Sequence, residues 1–217
     1  RSVSHQLASA TAIRQAIAGD QNLNRVKKAL PEATAEIMER CGQNPATDYE
    51  RFFTILVYKI LTTPVESLAE ILSAGEGLEN KLKKAIIKSR SMEELVGSVL
   101  SKRYTETRIK RLLLHTLTSL TKREFFEMVA EMPLYARVLG FSSKGAKLLR
   151  HIKQTECASF PVISNINKEV PQDAPQWKIL LYDILAADIY NLAYNNELYQ
   201  RSDYVCSPSL SDEFADT

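Results

Sequence analysis

Glycine is scarce in this chain, seven in 217 residues, and no run of about eighteen apolar residues occurs along it. The second absence leaves no segment that could cross a bilayer as a helix. The first residues also lack the apolar stretch of a secretory signal. The expectation is a soluble, cytoplasmic protein with no membrane partner. Cysteines number three, Cys41, Cys157 and Cys206, spaced too widely for a zinc site or a disulfide framework, so reduced thiols account for them. Histidine is equally sparse. His5, His115 and His151 share no metal-ligand spacing and sit in no nucleophile motif. Asp183 and Asp188, five apart on one expected helix, share a face poorly, so no catalytic dyad and no metal site are expected.

What the chain does have is enough apolar residue, 45%, to bury one substantial core or two small ones. Its net charge of +2 says little about a partner, but the charge is unevenly placed. Between residues 81 and 111 ten basic side chains face only three acidic ones, a local net of +7, whereas residues 203–217 hold four acids and no base.

Scarce glycine and closely spaced helix-start signals favour a mainly α, multi-helix domain. Thr47 with Glu50, Thr63 with Glu66, Ser91 with Glu94, and Thr121 with Glu124 each set a hydroxyl at an N-cap and a carboxylate three residues on. In the second pair Pro64 would occupy the first helical position. Phe52, Phe53, Leu56, Val57 and Ile60 form one apolar stripe, and Ile109, Leu112, Leu113, Thr116 and Leu117 another. Residues 135–141 read as a short strand, 142–153 as a basic helix and 160–163 as a second strand, a small β-α-β element. Pro175 opens a long helix through Trp177, Leu180, Leu181, Ile184, Leu185, Ile189 and Leu192. Helical structure is expected over 21–200, and residues 201–217 read as a disordered acidic tail.

Two segments could carry function. Ser9, Thr11 and Arg14 place two hydroxyls and a guanidinium at a helix N-terminus, an arrangement that suits a phosphate but, taken alone, reads first as an ordinary cap followed by a surface arginine. Lys102, Arg103, Tyr104, Arg108, Lys110 and Arg111 make a basic block in which Thr105 would cap a helix. Arg108, Arg111 and His115 then share one face, and Tyr104 offers a ring for an unpaired base. Lys81, Lys84 and Lys88 add a stripe on the preceding helix. RNA and plain solvent are both open as what these faces meet. Lys144, Lys147, Arg150 and His151 form a third stripe that reads as solvated surface.

The segments Ala8-Ser9-Ala10-Thr11-Ala12-Ile13-Arg14, Glu76-Gly77-Leu78-Glu79-Asn80, 102–111 and Arg137-Val138-Leu139-Gly140-Phe141 followed by Lys144-Gly145 resemble, in order and spacing, the bacterial tRNA(Met) cytidine acetate ligases. That family is described as predicted nucleotidyltransferases, and the likeness covers residues 7–194 against the second half of its members. The resemblance implies a Rossmann-like nucleotidyltransferase domain followed by a helical tRNA-binding domain. ATP activates acetate, and the acetyl-adenylate forms N4-acetylcytidine at the wobble position of elongator tRNA(Met). It makes ATP a co-substrate of the full-length enzyme and leaves Mg2+ open as its companion. It assigns Ser9, Thr11 and Arg14 to ATP phosphates, with residues 1–20 as the end of the nucleotidyltransferase domain. The superfamily's paired-histidine motif has no counterpart among these residues, and the chain opens on Arg1. The expectation is therefore the C-terminal portion of a longer enzyme, inactive in adenylation by itself. A non-catalytic RNA-binding or scaffold module is the alternative, and an acidic protein partner for the basic helices is a third.

Overall fold

The computed structural model describes residues 9–10, 12–13, 16, 26–40, 49–131, 135–169, 171–194 and 202–210. The chain divides into two compact units, Arg1–Tyr49 and Glu50–Thr217. In the first, a 3-10 turn (Lys27–Ala29) leads to α1 (Glu32–Arg40). Val26 and Ala35 are buried there, and Lys27 pairs with Glu39.

The second unit begins with six helices: α2 (Phe53–Thr62), α3 (Val65–Glu70), α4 (Leu78–Ile86), α5 (Met92–Val99), α6 (Glu106–Thr118) and α7 (Lys122–Glu131). Helix α4 packs on α2, α3 and α5, while α6 packs on α2 and α5. The apolar stripes dictate this arrangement. Leu56 and Ile60 of α2, Leu78 and Leu82 of α4, Leu95 and Val99 of α5, and Ile109 and Leu112 of α6 all enter one core. Each large side chain so buried favours the fold by about 1.5–3 kcal/mol over exposure. Thr116, the polar member of the α6 stripe, is tolerated in that core because its hydroxyl donates to the Leu112 carbonyl at 2.8 Å.

Two of the four expected capping pairs form. Ser91 accepts from Glu94 N at 3.1 Å, while the Glu94 carboxylate reaches back to Arg90 N at 2.8 Å. Thr121 accepts from Glu124 N at 3.2 Å, and Glu124 accepts from Thr121 N at 3.1 Å. The Thr63 pair does not form. Its hydroxyl instead donates to the Lys59 carbonyl at 2.6 Å, closing α2, so Pro64 becomes the N-cap of α3 rather than its first residue. Thr47 lies outside the described residues, and its expected partner Glu50 accepts from Met92 N at 2.8 Å, serving α5 across the fold.

The Thr121 hydrogen bond is the main reason that the Glu124 carboxyl lies below its ordinary 4.5. A carboxyl lowered by folding stabilises the native state above that ordinary value, and the contribution disappears as pH falls through the lowered one. Thr121→Ala is therefore expected to cost about 1 kcal/mol at pH 7. The variant should also lose less stability than the parent between neutral pH and about pH 3. Urea unfolding at both pH values tests this, and equal acid losses in the two proteins would count against the linkage.

Beyond α7 the expected β-α-β element is present but divided. Strands β1 (Ala136–Arg137) and β2 (Gly140–Phe141) replace the single strand expected over 135–141, followed by α8 (Ser143–Thr155) and β3 (Val162–Ile163). β1 pairs with β3 in parallel, joining Ala136 to Val162 and Arg137 to Ile163. β2 turns away to pair in parallel with β4 (Ser209–Leu210). Gly140 permits that approach, since a Cβ there would lie 3.2 Å from the Ser209 carbonyl oxygen. α9 (Ile166–Glu169) and the long α10 (Pro175–Tyr194) follow β3. Ile163, Ile166, Leu180 and Ile184 form a second, smaller core, and α10 also packs against α6 and α7.

The disordered tail expected from residue 201 is corrected over 202–210. Asp203 pairs with Arg137 at 2.8 Å, Asn167 Nδ2 donates to the Tyr204 carbonyl at 2.8 Å, and Ser209 N donates to the Leu139 carbonyl at 3.0 Å. Two of these three contacts use tail backbone, which a polar, acidic composition does not reveal. Residues 211–217 lie outside the described set.

Candidate functional site

The basic block is organised by a tight turn between α5 and α6. Ser101 N donates to the Tyr104 carbonyl at 3.1 Å and Tyr104 N donates back to the Ser101 carbonyl at 3.2 Å, which puts Lys102 and Arg103 at an exposed tip. Thr105 then caps α6, accepting from Arg108 N at 3.4 Å. The turn drives the Tyr104 ring inward until it is 7% exposed. This corrects the expectation of an open stacking platform: the ring belongs to the main core, where its apolar face is better satisfied than in water.

Tyr104 instead gathers cations. Lys81 Nζ, Arg103 Cζ and Arg108 Cζ lie 5.6, 5.8 and 5.6 Å from its ring centroid, within reach of the ring's negative face. Its hydroxyl donates to the Glu76 carbonyl at 2.5 Å. That carbonyl belongs to a turn in which Gly75, Glu76 and Gly77 have φ of +131°, +60° and +85°. Glycine adopts these angles freely, whereas Glu76 holds its own at a cost of roughly 1–2 kcal/mol. Glu76 Oε2 accepts from Arg108 Nη1 at 2.9 Å and from Arg103 Nε at 3.4 Å. The Arg108 hydrogen bond, followed by that of Arg103, holds the Glu76 carboxyl below its ordinary value.

The structure assigns different duties to the other predicted basic residues. Lys81 Nζ donates to the Val99 carbonyl at 2.7 Å, at the C-terminal end of α5. Lys83 does the same for Leu61 at 2.9 Å, and Lys122 for Ala69 at 2.5 Å, so three lysines meet the negative ends of neighbouring helices. Lys110 pairs with Glu106 at 2.5 Å. His115 leaves the expected stripe: its Nδ1 sits 2.9 Å from the Leu72 carbonyl and 3.2 Å from Ser73 Oγ. Lys84, Lys88, Lys102, Arg103 and Arg111 are exposed, and Arg108 is half-buried. Lys144, Lys147, Arg150 and His151 are exposed on α8, as expected of a solvated face.

In the first unit Ser9 heads a helical turn, its Oγ accepting from Ala12 N at 3.2 Å and its carbonyl from Ile13 N at 3.0 Å. The side chain is exposed, while Thr11 and Arg14 lie outside the described residues. Among the described residues no group of three or more His, Cys, Asp or Glu side chains could hold a metal, Mg2+ included, and no helix is long and apolar enough to cross a membrane. Cys157 and Cys206 are exposed and outside any disulfide among the described residues, and Cys41 is outside the described set.

Glu76 is the functional candidate that charge counting missed. It lies just before the basic stretch that was counted, between two glycines, and entered the sequence reading only as the first residue of the family-like segment 76–80.

Residues 1–204 match the family model described as HIGH Nucleotidyl Transferase. A tRNA(Met) cytidine acetate ligase of Thermoanaerobacter sp. (strain X514) is 37% identical over 203 residues, covering 92% of this chain and 48% of the relative. The ligase of the same description from Alkaliphilus metalliredigens (strain QYMF) is 33% identical over 213 residues, covering 95% and 50% respectively. The chain thus spans about half the length of the curated relatives it matches. The crystal structure of Thermotoga maritima TmcAL bound with alpha-thio ATP superposes with a TM-score of 0.80 at 23% identity, covering 94% of this chain and 52% of that one, a likeness of fold.

Proposed function

Because the chain belongs to the HIGH nucleotidyl transferase family, we propose that it forms the helical, tRNA-engaging C-terminal part of an ATP-dependent tRNA cytidine acetate ligase. The whole enzyme would make N4-acetylcytidine at the wobble position of elongator tRNA(Met) through an acetyl-adenylate. The observation that carries this reading is the cation group at the α5–α6 turn. Arg103 and Arg108 are held there by the Tyr104 ring and Glu76, with Lys102 at the exposed tip of the turn and Arg111, Lys84 and Lys88 exposed on the adjoining helices. Cations held in place before binding lose less conformational freedom when a phosphate backbone arrives. The relatives' names, which specify tRNA(Met), supply the partner.

ATP would be met through the first unit, where Ser9 presents a helix N-terminus suited to a phosphate oxygen and Thr11 and Arg14 are its proposed companions. The alpha-thio ATP bound to the Thermotoga maritima neighbour supports ATP as the ligand. In this reading the chain's own residues position anions: backbone N–H groups and arginines hold phosphates, and no side chain among the described residues is asked to transfer a proton.

Titration of the purified chain with elongator tRNA(Met) and with an unrelated tRNA, at low and moderate salt, tests the reading. The expected result is binding that weakens steeply with salt and favours the methionine tRNA. Absence of binding at low salt would assign the basic faces to another surface. Binding without preference would favour a general RNA-binding module.

A further inference from the structure

We infer that the Glu76 carboxylate occupies a phosphate site formed by Arg103 and Arg108, and that a phosphodiester of bound RNA displaces it. The inference rests on the proposed RNA-binding role and adds a resident competitor to it. Three observations converge on the same atoms. First, a single oxygen, Glu76 Oε2, accepts from both Arg108 Nη1 and Arg103 Nε, as one non-bridging phosphate oxygen would. Second, both guanidinium groups are held near the Tyr104 ring at almost equal distance, so their positions depend on a core side chain as well as on the carboxylate. The site would therefore persist after Glu76 leaves.

Third, the backbone delivers the carboxylate deliberately. Gly75 and Gly77 flank a glutamate in the left-handed region, where a side chain is disfavoured, and the Tyr104 hydroxyl fixes the Glu76 carbonyl. Side chains of Glu76, Arg103 and Arg108 are 51%, 63% and 33% exposed, so water and a polyanion can reach the pair. An exposed pair of this kind adds little to stability and can be exchanged for a stronger anion. The lowered carboxyl of Glu76 agrees with the geometry, since the two arginines favour its charged form.

Such a competitor makes binding selective. A single stray anion must displace a carboxylate already in place, whereas a tRNA that also engages Lys84, Lys88 and Arg111 gains enough from those contacts to do so.

The test is a double-mutant cycle on the purified chain, read as affinity for elongator tRNA(Met) transcript at one fixed salt. Glu76→Gln is expected to tighten binding roughly 3- to 10-fold, the size of one charge interaction at close range in a watery setting. Glu93→Gln, which removes an equal charge from an exposed position on α5, is expected to change affinity by less than about 2-fold. In an Arg108→Ala background the gain from Glu76→Gln should largely vanish. An equal gain from Glu93→Gln, or an undiminished gain without Arg108, would reduce Glu76 to a contributor to the general field and overturn the inference. Weaker binding by Glu76→Gln would mean that the carboxylate orients the arginines for RNA, which also overturns it. Failure of the parent chain to bind the transcript at low salt would remove the RNA reading itself, and the competitor with it.

Discussion

Replacing Tyr104 by alanine is expected to lower the unfolding free energy by about 3–5 kcal/mol, the usual cost of emptying a large aromatic site in a core. The corresponding fall in melting temperature is roughly 10 °C for a unit of this size. The ring belongs to the main core that Leu78, Leu82, Val99 and Ile109 also enter, so its loss leaves a cavity in that core. Phenylalanine is the informative companion. It keeps the burial and the ring face, and it removes only the hydroxyl that donates to the Glu76 carbonyl at 2.5 Å. Its cost should be about 1–2 kcal/mol, the range for one part-buried hydrogen bond. In folded protein the phenylalanine variant should bind tRNA nearly as tightly as the parent, while the alanine variant, measured below its melting point, should bind more weakly because its arginines lose their platform. Urea unfolding and tRNA titration of both variants provide the check. Equal destabilisation by alanine and phenylalanine would show that the hydroxyl, not the ring, holds this corner together.

Tyr104 also marks where sequence reading reaches its limit. The stripes on α2 and α6 were legible because helical periodicity records burial directly, and every residue of the α6 stripe is buried. The pairs Ser91–Glu94 and Thr121–Glu124 were legible because helix capping is local; the second closes reciprocally within four residues, while in the first the carboxylate reaches one residue further back, to Arg90 N. The Thr63 pair had the same spacing and failed, since α2 captured its hydroxyl first through the Lys59 carbonyl. What was illegible is non-local. An aromatic residue inside a basic decapeptide reads as a stacking surface, and only the tertiary fold shows that it is buried in the main core. Likewise Lys81 reads as a cation for RNA or for solvent until the C-terminal end of α5 is placed beside it, and nothing local in the sequence pairs Lys83 or Lys122 with the ends of α2 and α3. The strand at Ser209–Leu210 was hidden for a related reason: its pairing with β2 is made by backbone, to which composition is blind.

The salt dependence of tRNA binding follows from which cations these structural duties leave over. Lys84, Lys88, Lys102, Arg103, Arg108 and Arg111 are the predicted RNA-contacting cations that are not taken up by a helix end or by Glu106. If each meets a phosphate, affinity should fall with a log–log salt slope of about −4 to −5. That amounts to a loss of roughly 1,000-fold between about 50 and 200 mM salt. Arg111→Ala should remove a full contact and flatten the slope by about 0.7–0.9. Arg108→Ala should cost less affinity than Arg111→Ala. The Arg108 guanidinium already has a carboxylate at 2.9 Å, so a phosphate gains there only the difference between two anions. Arg111, exposed on α6, gains the whole interaction. Titrations at four or more salt concentrations separate the two variants. A larger loss from Arg108→Ala would mean that Glu76 holds that arginine ready for RNA instead of competing for it.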